Sequence, residues 1–296
     1  MDILKKYGYT PNEESIESGV NAVKAKVESL STPEALRQCF AAMDLTTLRT
    51  NDTPSYVRKF VEKVNGLAEA FPGYPAPASI CVYPNFAGVV REAKNNPDLH
   101  VTCVSSCFPS AQSFLEVKVR ECELAVLGGA DEIDIVLALN AFLDADYDSA
   151  LKEMVAMKNA IDKAAASVDR KVVLKVILET GLLDSAENIA AASFLAMEAG
   201  ADFIKTSTGK VDVNATPRAA WIMCEAIRRY YEVSGRKVGF KAAGGVSTAA
   251  DAILYYGIVA EILGREWLCT ELFRLGVSRL GNNLIGAIEG KTVKYF

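Results

Sequence analysis

Residues 172–210 decide the fold and read VVLKVILETGLLDSAENIAAASFLAMEAGADFIKTSTGK. The stretch begins with a short run of aliphatic and β-branched residues, 172–178, and ends with a second run of this kind, 203–207. Between the two runs, residues 185–199 carry alanine, glutamate and leucine at helical spacing. A strand, a helix and a second strand of these lengths predict one parallel βαβ unit.

The same alternation continues in both directions along the chain. Eight units of this kind in roughly 250 residues are typical of a (β/α)8 TIM barrel. An open doubly wound α/β sheet shares the alternation and is the alternative. The predicted strands are Cys39–Leu45, Ser79–Tyr83, Val101–Ser106, Glu132–Ala138, Val172–Leu178, Phe203–Ser207, Lys237–Lys241 and Phe273–Val277. The clearest helical segments are Phe114–Leu127, Tyr147–Ala166, Ser185–Ala199 and Pro217–Tyr231.

The chain divides into a short extension and one domain. Residues 1–30 predict an N-terminal helical extension, because Thr10-Pro11 supplies a helix cap and a first-turn proline. No linker or low-complexity tract interrupts the remainder, so we expect residues 31–296 to form a single barrel domain. We expect the extension to pack across the bottom of the barrel or to contribute to an interface.

Composition narrows the function classes. The net charge of −5, without a strong basic patch, argues against a nucleic-acid partner. The sequence shows no signal-peptide pattern, and no apolar run approaches the ~18 residues that a membrane span needs, so we expect a cytoplasmic protein without a membrane partner. Seven scattered cysteines fit reduced thiols. The single histidine, His100, excludes multi-histidine metal sites, so we expect no metal.

Charged residues interrupt four consecutive apolar strands. Alternate residues of a barrel strand point inward, and Asp134, Lys175, Lys205 and Lys241 each follow an aliphatic or aromatic residue that can face the helices. Burying three lysines and an aspartate is costly without a functional reason.

Such a cluster suits imine formation, which requires a lysine in its neutral amine form. An ordinary lysine, with a pKa near 10.4, is almost wholly protonated at pH 7. A second ammonium ~6 Å away, at an effective dielectric near 20, lowers the pKa by roughly two units. Lys205 and Lys241, on adjacent strands, are therefore predicted to activate each other. An aspartate beside them, Asp134, can carry protons to and from the reacting carbons.

Small residues follow the last three predicted strands. They occur in the segments 207–210, 243–247 and 276–279, and such loops at the carboxyl end of a barrel commonly hold a phosphate through backbone N–H groups and a helix N-terminus. Turns that simply require glycine are the alternative interpretation.

At this point the motifs resemble those of the deoxyribose-phosphate aldolase family. The segment 203–210, FIKTSTGK, is similar to the Schiff-base lysine motif of that family. The match extends in order and spacing from about residue 38 to residue 288. Its other parts are Met43–Leu48, Cys81–Pro84, Leu174–Gly181, Val213–Pro217, Gly239–Val246 and Phe273–Gly276.

The resemblance implies a metal-independent and cofactor-free class I aldolase that reversibly cleaves 2-deoxy-D-ribose 5-phosphate to D-glyceraldehyde 3-phosphate and acetaldehyde, a step of deoxyribonucleoside catabolism. It implies Lys205 as the Schiff-base lysine, Asp134 as the proton-transfer aspartate and Lys241 as the second catalytic lysine. It assigns substrate contacts to Asp44, Thr46, Lys175 and Thr208. It assigns the phosphate to Gly209, Lys210, Gly244, Gly245 and Ser278, with Arg279 as an added candidate. It also implies a homodimer.

The sequence departs from the family pattern at two positions near the phosphate. Ser247 stands where an arginine is usual, and Arg279 stands where a second serine is usual. Arg279 could restore the missing charge, or it could crowd the pocket. Some relatives bring a C-terminal tyrosine to the site, so Tyr295 is a candidate, with a frayed tail as the alternative.

Two other functions remain as alternatives. One is another Schiff-base lyase, of the transaldolase or keto-acid type. The other is a non-catalytic barrel that binds a sugar phosphate.

Overall fold

Eight parallel strands pair in chain order, and the last strand pairs with the first to close a barrel. This computed structural model describes residues 3–296, and the first two residues of the predicted 1–30 extension lie outside the described residues. The TIM barrel prediction is confirmed, and the open doubly wound sheet is excluded. The strands are β1 (Met43–Thr46), β2 (Ser79–Val82), β3 (His100–Val104), β4 (Glu132–Val136), β5 (Val173–Ile177), β6 (Phe203–Lys205), β7 (Gly239–Ala243) and β8 (Phe273–Val277).

Helices surround the barrel, and three of them begin with the same dipeptide. At Thr32-Pro33, Thr53-Pro54 and Thr216-Pro217 the threonine side chain accepts a backbone N–H of the first turn and the proline takes the first helical position. Among residues 3–296 no helix is long and apolar enough to cross a membrane. The helices are α1 (Ile3–Lys6), α2 (Glu13–Leu30), α3 (Pro33–Ala41), α4 (Pro54–Asn65), α5 (Leu67–Ala70), α6 (Ala87–Ala93), α7 (Leu115–Leu127), α8 (Leu139–Leu143), α9 (Tyr147–Ser167), α10 (Ala186–Glu198), α11 (Pro217–Ser234), α12 (Ala249–Leu263) and α13 (Leu280–Glu289).

The first and the seventh strand differ most from the prediction; the second to the sixth differ by one or two residues at an end, and the eighth agrees. Residues 39–41 belong to α3 rather than to the first strand, because the cap at Thr32 starts a helix whose buried face includes Leu36, Cys39 and Phe40. The first strand begins only at Met43. The seventh strand lies two residues further along the chain than predicted and includes Lys241 at its centre.

The N-terminal extension packs on the outer helical layer. Helix α2 contacts α11 and α12. A side chain at Gly19 would meet the Trp221 ring at 2.2 Å, and one at Gly257 would meet Val23 at 2.7 Å, so glycine allows both close approaches. The expectation that the extension covers the bottom of the barrel is wrong.

The C-terminal residues occupy the seam between α13 and α4. The Tyr295 hydroxyl donates to the backbone oxygen of Lys63 at 2.7 Å, and its ring packs edge-on against Phe71. The Asn282 side-chain oxygen accepts the backbone N–H groups of Tyr295 and Phe296 at 2.8 and 3.0 Å. Tyr295 therefore lies outside the barrel in this structure, and the tail is docked rather than frayed.

The strand register stacks the inward-facing side chains in three layers of four, each layer drawn from alternate strands. The layer nearest the amino ends of the strands, the lower layer, holds Ser79, Glu132, Phe203 and Arg274. The middle layer holds Asp44, Thr102, Lys175 and Lys241. The upper layer, nearest the carboxyl ends, holds Cys81, Asp134, Lys205 and Gly276. Seven of these twelve residues are charged, whereas such layers usually hold branched aliphatic side chains.

Candidate active site

Asp134 stands at the centre of the charged cluster. Its Oδ2 accepts hydrogen bonds from Lys205 Nζ at 2.9 Å and from Lys241 Nζ at 2.7 Å. Its Oδ1 accepts one from Lys175 Nζ at 2.9 Å. All four side chains are buried, so the structure brings the predicted aspartate and the three predicted lysines into one contiguous group.

The three lysines differ in the number of carboxylates they contact. Among the described residues, Lys205 pairs with Asp134 alone. Lys241 pairs with Asp134 and with Asp44. Lys175 pairs with Asp134, with Glu132 and, at 3.5 Å, with Asp44. Lys205 is therefore the least compensated ammonium of the three.

The pKa directions follow this count. Burial is the largest effect on Lys205; Asp134 opposes it and Lys241 reinforces it, and the net result is a pKa below the usual lysine value. Burial also lowers the pKa of Lys241 and Lys175, but their carboxylate partners outweigh it, and both pKa values are raised. Burial favours the neutral form of Asp134, yet the surrounding ammonium groups dominate and hold its pKa well below the usual range.

The prediction that Lys205 and Lys241 lower each other's pKa is therefore wrong for Lys241, whose pKa is raised. Lys241 lowers the pKa of Lys205, but two carboxylates keep Lys241 protonated. The physical reason is that each nitrogen responds to its own set of neighbours, and Asp44 lies against Lys241 rather than Lys205.

Two charged residues of the lower layer complete the cluster and were not identified from the sequence. Arg274 donates to Asp44 Oδ1 at 2.5 Å and to the two oxygens of Glu132 at 2.7 and 3.1 Å. Glu132 also lies 2.7 Å from Nδ1 of His100 and accepts the Thr102 hydroxyl at 2.8 Å. The signal that could have found them is the alternation that identified Asp134, because Glu132 and Asp134 are two residues apart on one strand.

The predicted substrate threonines lie at two different places. The Thr208 backbone N–H donates to Glu179 Oε1 at 3.1 Å, and its hydroxyl donates to Glu179 Oε2 at 2.5 Å. Glu179 itself has a left-handed backbone, with φ of 53°. The Thr46 hydroxyl donates to the backbone oxygen of Asp44 at 2.8 Å and does not join the lysine cluster.

The predicted phosphate residues share one end of the barrel. Gly209, Lys210, Gly244, Gly245, Ser278 and Arg279 all occur in the loops that follow β6, β7 and β8. The Lys210 ammonium donates to the backbone oxygen of Leu48 at 2.7 Å. Helix α13 begins directly after Arg279 without a side-chain cap, which leaves its first N–H groups available to an anion. In contrast, Thr248 and Asp251 cap α12 reciprocally.

Two further buried hydroxyls lie near this carboxyl end of the barrel, which we call its mouth, and have no hydrogen-bond partner within residues 3–296. Ser207 Oγ and Thr180 Oγ1 have no hydrogen-bond partner among the described residues. Thr180 is adjacent to the strand of Lys205, because its N–H donates to the backbone oxygen of Thr206 at 2.9 Å. A buried hydroxyl without a partner is costly, so both are positions where a polar ligand would restore the bond.

These features are typical of a TIM-barrel enzyme that uses a buried lysine amine. A buried amine whose pKa is lowered, a carboxylate whose pKa is also lowered and a second ammonium stand together at the carboxyl end of a closed βα-barrel, the end at which enzymes with this fold act. Within residues 3–296 no group of histidine, cysteine or acidic side chains is arranged to hold a metal ion.

Comparison with known proteins identifies the family. The family described as DeoC/LacD family aldolase matches residues 38–260, and the chain belongs to that family. It is therefore an aldolase, a carbon–carbon lyase that acts on small molecules. The deoxyribose-phosphate aldolase of Bos taurus is 38% identical over 255 residues, which are 83% of this chain and 78% of the bovine one.

Two further relatives extend the comparison. A Caenorhabditis elegans protein provisionally named as the same enzyme is 38% identical over 278 residues, 93% of this chain and 89% of that protein. The deoxyribose phosphate aldolase of Aeropyrum pernix has the same fold, with a TM-score of 0.66 at 22% identity over 93% of this chain and 98% of its own.

The central position of Asp134 generates a stability prediction. We expect Asp134→Asn to lower the free energy of unfolding by about 3–5 kcal/mol at pH 7, because three ammonium groups lose their shared carboxylate. The loss should shrink at pH 9, where Lys205 can release its proton. Urea unfolding at the two pH values measures this, with the exposed Asp144→Asn as a control that changes stability by less than about 0.5 kcal/mol. Equal losses in the two variants would contradict the central role.

Proposed function

We propose that this aldolase reversibly cleaves 2-deoxy-D-ribose 5-phosphate to D-glyceraldehyde 3-phosphate and acetaldehyde, as a step of deoxyribonucleoside catabolism. One observation carries the proposal: Lys205 is the least compensated of three buried lysines and the one whose pKa is lowered. The 38% identity to the bovine deoxyribose-phosphate aldolase supports the choice of substrate.

The reaction begins at the amine of Lys205. Its lone pair attacks the C1 aldehyde carbon and forms a carbinolamine, which loses water to give the protonated imine. The imine withdraws electrons as the C2–C3 bond breaks and the C3 hydroxyl gives up its proton. Glyceraldehyde 3-phosphate leaves, and the enamine that remains on Lys205 is protonated at C2 and hydrolysed to acetaldehyde and free enzyme.

Lys241 and Asp134 divide the proton transfers. Lys241 remains an ammonium, because its pKa is raised, and is therefore the proton donor for carbinolamine dehydration. Asp134 remains ionised, because its pKa is lowered, and accepts a hydrogen bond from each of the two nitrogens. We assign it the acceptance of the C3 hydroxyl proton and the delivery of that proton to C2 of the enamine, and its charge stabilises the cationic imine. Asp44 and Lys175, which the resemblance gave as substrate contacts, are paired within the buried cluster, and we assign them the role of holding Lys241 and Asp134 in place.

The substrate phosphate is assigned to the loops after β6, β7 and β8. The uncapped N-terminus of α13 supplies backbone N–H groups, and Ser278 and Arg279 immediately precede it. Positive φ at Gly209, Gly244 and Gly245, between 78° and 82°, shapes these loops. Arg279 supplies the charge that Ser247 lacks, since Ser247 is engaged with Asp251 in the cap of α12. We keep Thr46 and Thr208 as candidate contacts to the sugar hydroxyls of the substrate.

We expect Lys205→Leu to abolish cleavage while the fold is retained. Incubation with deoxyribose 5-phosphate and borohydride, with chelator present, should give a reduced adduct that peptide mass mapping places on Lys205. Lys205→Arg keeps the charge but forms no imine, so it should also be inactive, which separates the nucleophile from its charge. A cleaving Lys205→Leu variant, or a folded unsubstituted protein without an adduct, would reject the assignment.

The position of Arg279 generates a prediction on phosphate recognition. Arg279→Ala should raise KM for deoxyribose 5-phosphate at least about tenfold, the effect of losing one charge-assisted hydrogen bond. The same substitution should leave kcat/KM for unphosphorylated deoxyribose unchanged. Arg265→Ala, an exposed arginine beyond the far end of α12, is the matched control and should alter neither. An equal effect on both substrates would place the phosphate elsewhere.

The two alternatives are distinguished by the same adduct experiment. Another Schiff-base lyase would form an adduct with its own carbonyl substrate but would not cleave deoxyribose 5-phosphate. A non-catalytic barrel would bind the sugar phosphate without any covalent adduct, and binding alone does not require a lysine whose pKa is lowered.

We further propose that residues 31–296 form the catalytic unit, and that it works as a homodimer in the cytoplasm. All seven cysteines are free thiols, which supports a reducing compartment. The dimer is supported by a stripe on α7 and its cap, where Phe114, Val117, Leu124 and Leu127 are exposed. In a two-fold dimer the same surface of each subunit contacts its copy. The middle of the stripe carries one positive and one negative side chain, Arg120 and Glu123, so it can complement its own copy.

Light scattering tests the dimer. We expect twice the chain mass for the unsubstituted protein and a monomer for Leu124→Glu, because the charge is placed in the apolar stripe. Leu143→Glu, on the exposed face of α8, is the control and should remain dimeric. A monomeric unsubstituted protein at micromolar concentration would contradict the proposal.

A further inference from the structure

We infer that Arg274 and Glu132, beneath the reactive layer, fix the charge balance of the barrel interior and so determine that Lys205 is the amine that gives up its proton. The inference rests on the proposed function, which makes Lys205 the nucleophile. Neither residue lies at the mouth of the barrel, so both are positioning residues that act through the groups above them.

The first step is the count of buried charges. Among the described residues of the barrel interior, three carboxylates, Asp44, Glu132 and Asp134, face four cationic groups. The fully ionised cluster therefore carries one excess positive charge on side chains that are at most 4% exposed. Loss of one proton neutralises it, and an isolated buried charge is costly enough to favour that loss.

The second step is which cation releases the proton. Arg274 retains its charge at any accessible pH, so its guanidinium supplies the permanent excess. Lys175 and Lys241 are each held by at least two carboxylates, and Lys205 is held by one. Lys205 is therefore the group that releases the proton. The other groups that face Lys205 are Asp134, Lys241 and the buried thiol of Cys81, whose own pKa is raised by burial.

The third step is how the lower layer reaches the upper one. Arg274 holds Asp44 and Glu132 together. Asp44 in turn contacts Lys241, and Glu132 contacts Lys175. Both of these lysines bond Asp134, the only carboxylate partner of Lys205 among residues 3–296. His100 adds a half-exposed titratable group against Glu132, and that contact raises the pKa of the histidine.

Substitutions that change the charge in opposite directions test the inference. Arg274→Met removes the excess charge, so Lys205 should hold its proton more tightly. The midpoint of the acid limb of the kcat/KM profile should therefore move to higher pH. Glu132→Gln adds to the excess positive charge, so the same midpoint should move to lower pH. Each shift should be about one pH unit, as expected for a unit charge roughly 10 Å away at an effective dielectric near 20. The double variant should return to the original profile.

Three controls isolate the charge effect. Arg274→Lys keeps the charge and should keep the midpoint. Lys118→Met removes a buried cation that pairs with Glu153 at 2.6 Å on α7 and α9, outside the barrel interior, and should cause no shift. The same series in a His100→Asn background removes the titration of the single histidine. If Arg274→Met does not fold, Glu132→Gln and Arg274→Lys still give a shift and a fixed midpoint.

A second readout separates this inference from the proposed function. The rate at which acetaldehyde and cyanoborohydride label Lys205 should follow the same opposite shifts with pH, without any turnover. Shifts in one common direction, no shift in either single variant, or a double variant that stays displaced would overturn the charge-balance role. An unsubstituted enzyme that shows no label on Lys205 at any pH would instead overturn the proposed function.

Discussion

The shared carboxylate of Asp134 is the interaction on which the barrel interior depends. One oxygen joins Lys205 to Lys241, and the other holds Lys175, so a single side chain links strands β4, β5, β6 and β7. Three ammonium groups could not be buried together without it, because their mutual repulsion adds to the cost of removing each from water. The same carboxylate fixes the distance between Lys205 and Lys241, the proposed nucleophile and the proposed proton donor.

The charged interior constrains the rest of the fold. The strands alternate strictly, and Ile133, Ile135, Leu174, Val176 and Ile204 point outward into the helical layer while the charges point inward. A one-residue slip of any central strand would exchange these two faces and place a charge among aliphatic side chains. The apolar contacts outside the barrel and the ion pairs inside it therefore specify the same register. We regard this agreement as the reason that a costly polar core is compatible with a unique fold.

The sequence predicted the barrel and four of the seven charged interior residues, because Asp134 and the three lysines interrupt otherwise apolar strands. Asp44 was assigned only by resemblance. Glu132 and Arg274 follow the same alternation but were missed, since a charge at the first or second residue of a strand is normally exposed. Residues 39–41 were placed in a strand because a short continuous apolar run does not distinguish a strand from a buried helix turn. The asymmetry between Lys205 and Lys241 depends on which carboxylate touches which nitrogen, and spacing along the chain contains no such information.

The excess positive charge also bears on how a phosphorylated substrate can be used. A phosphate at the mouth of the barrel brings up to two negative charges, which favour the ammonium form of any nearby lysine. Such a substrate would therefore oppose the very deprotonation that the attack on its aldehyde requires. Lys210 and Arg279 stand on the loops where the phosphate is assigned, and their charges can neutralise it before its field reaches Lys205. On this view the cations at the mouth do more than bind the phosphate, because they preserve the balance that the buried cluster has established.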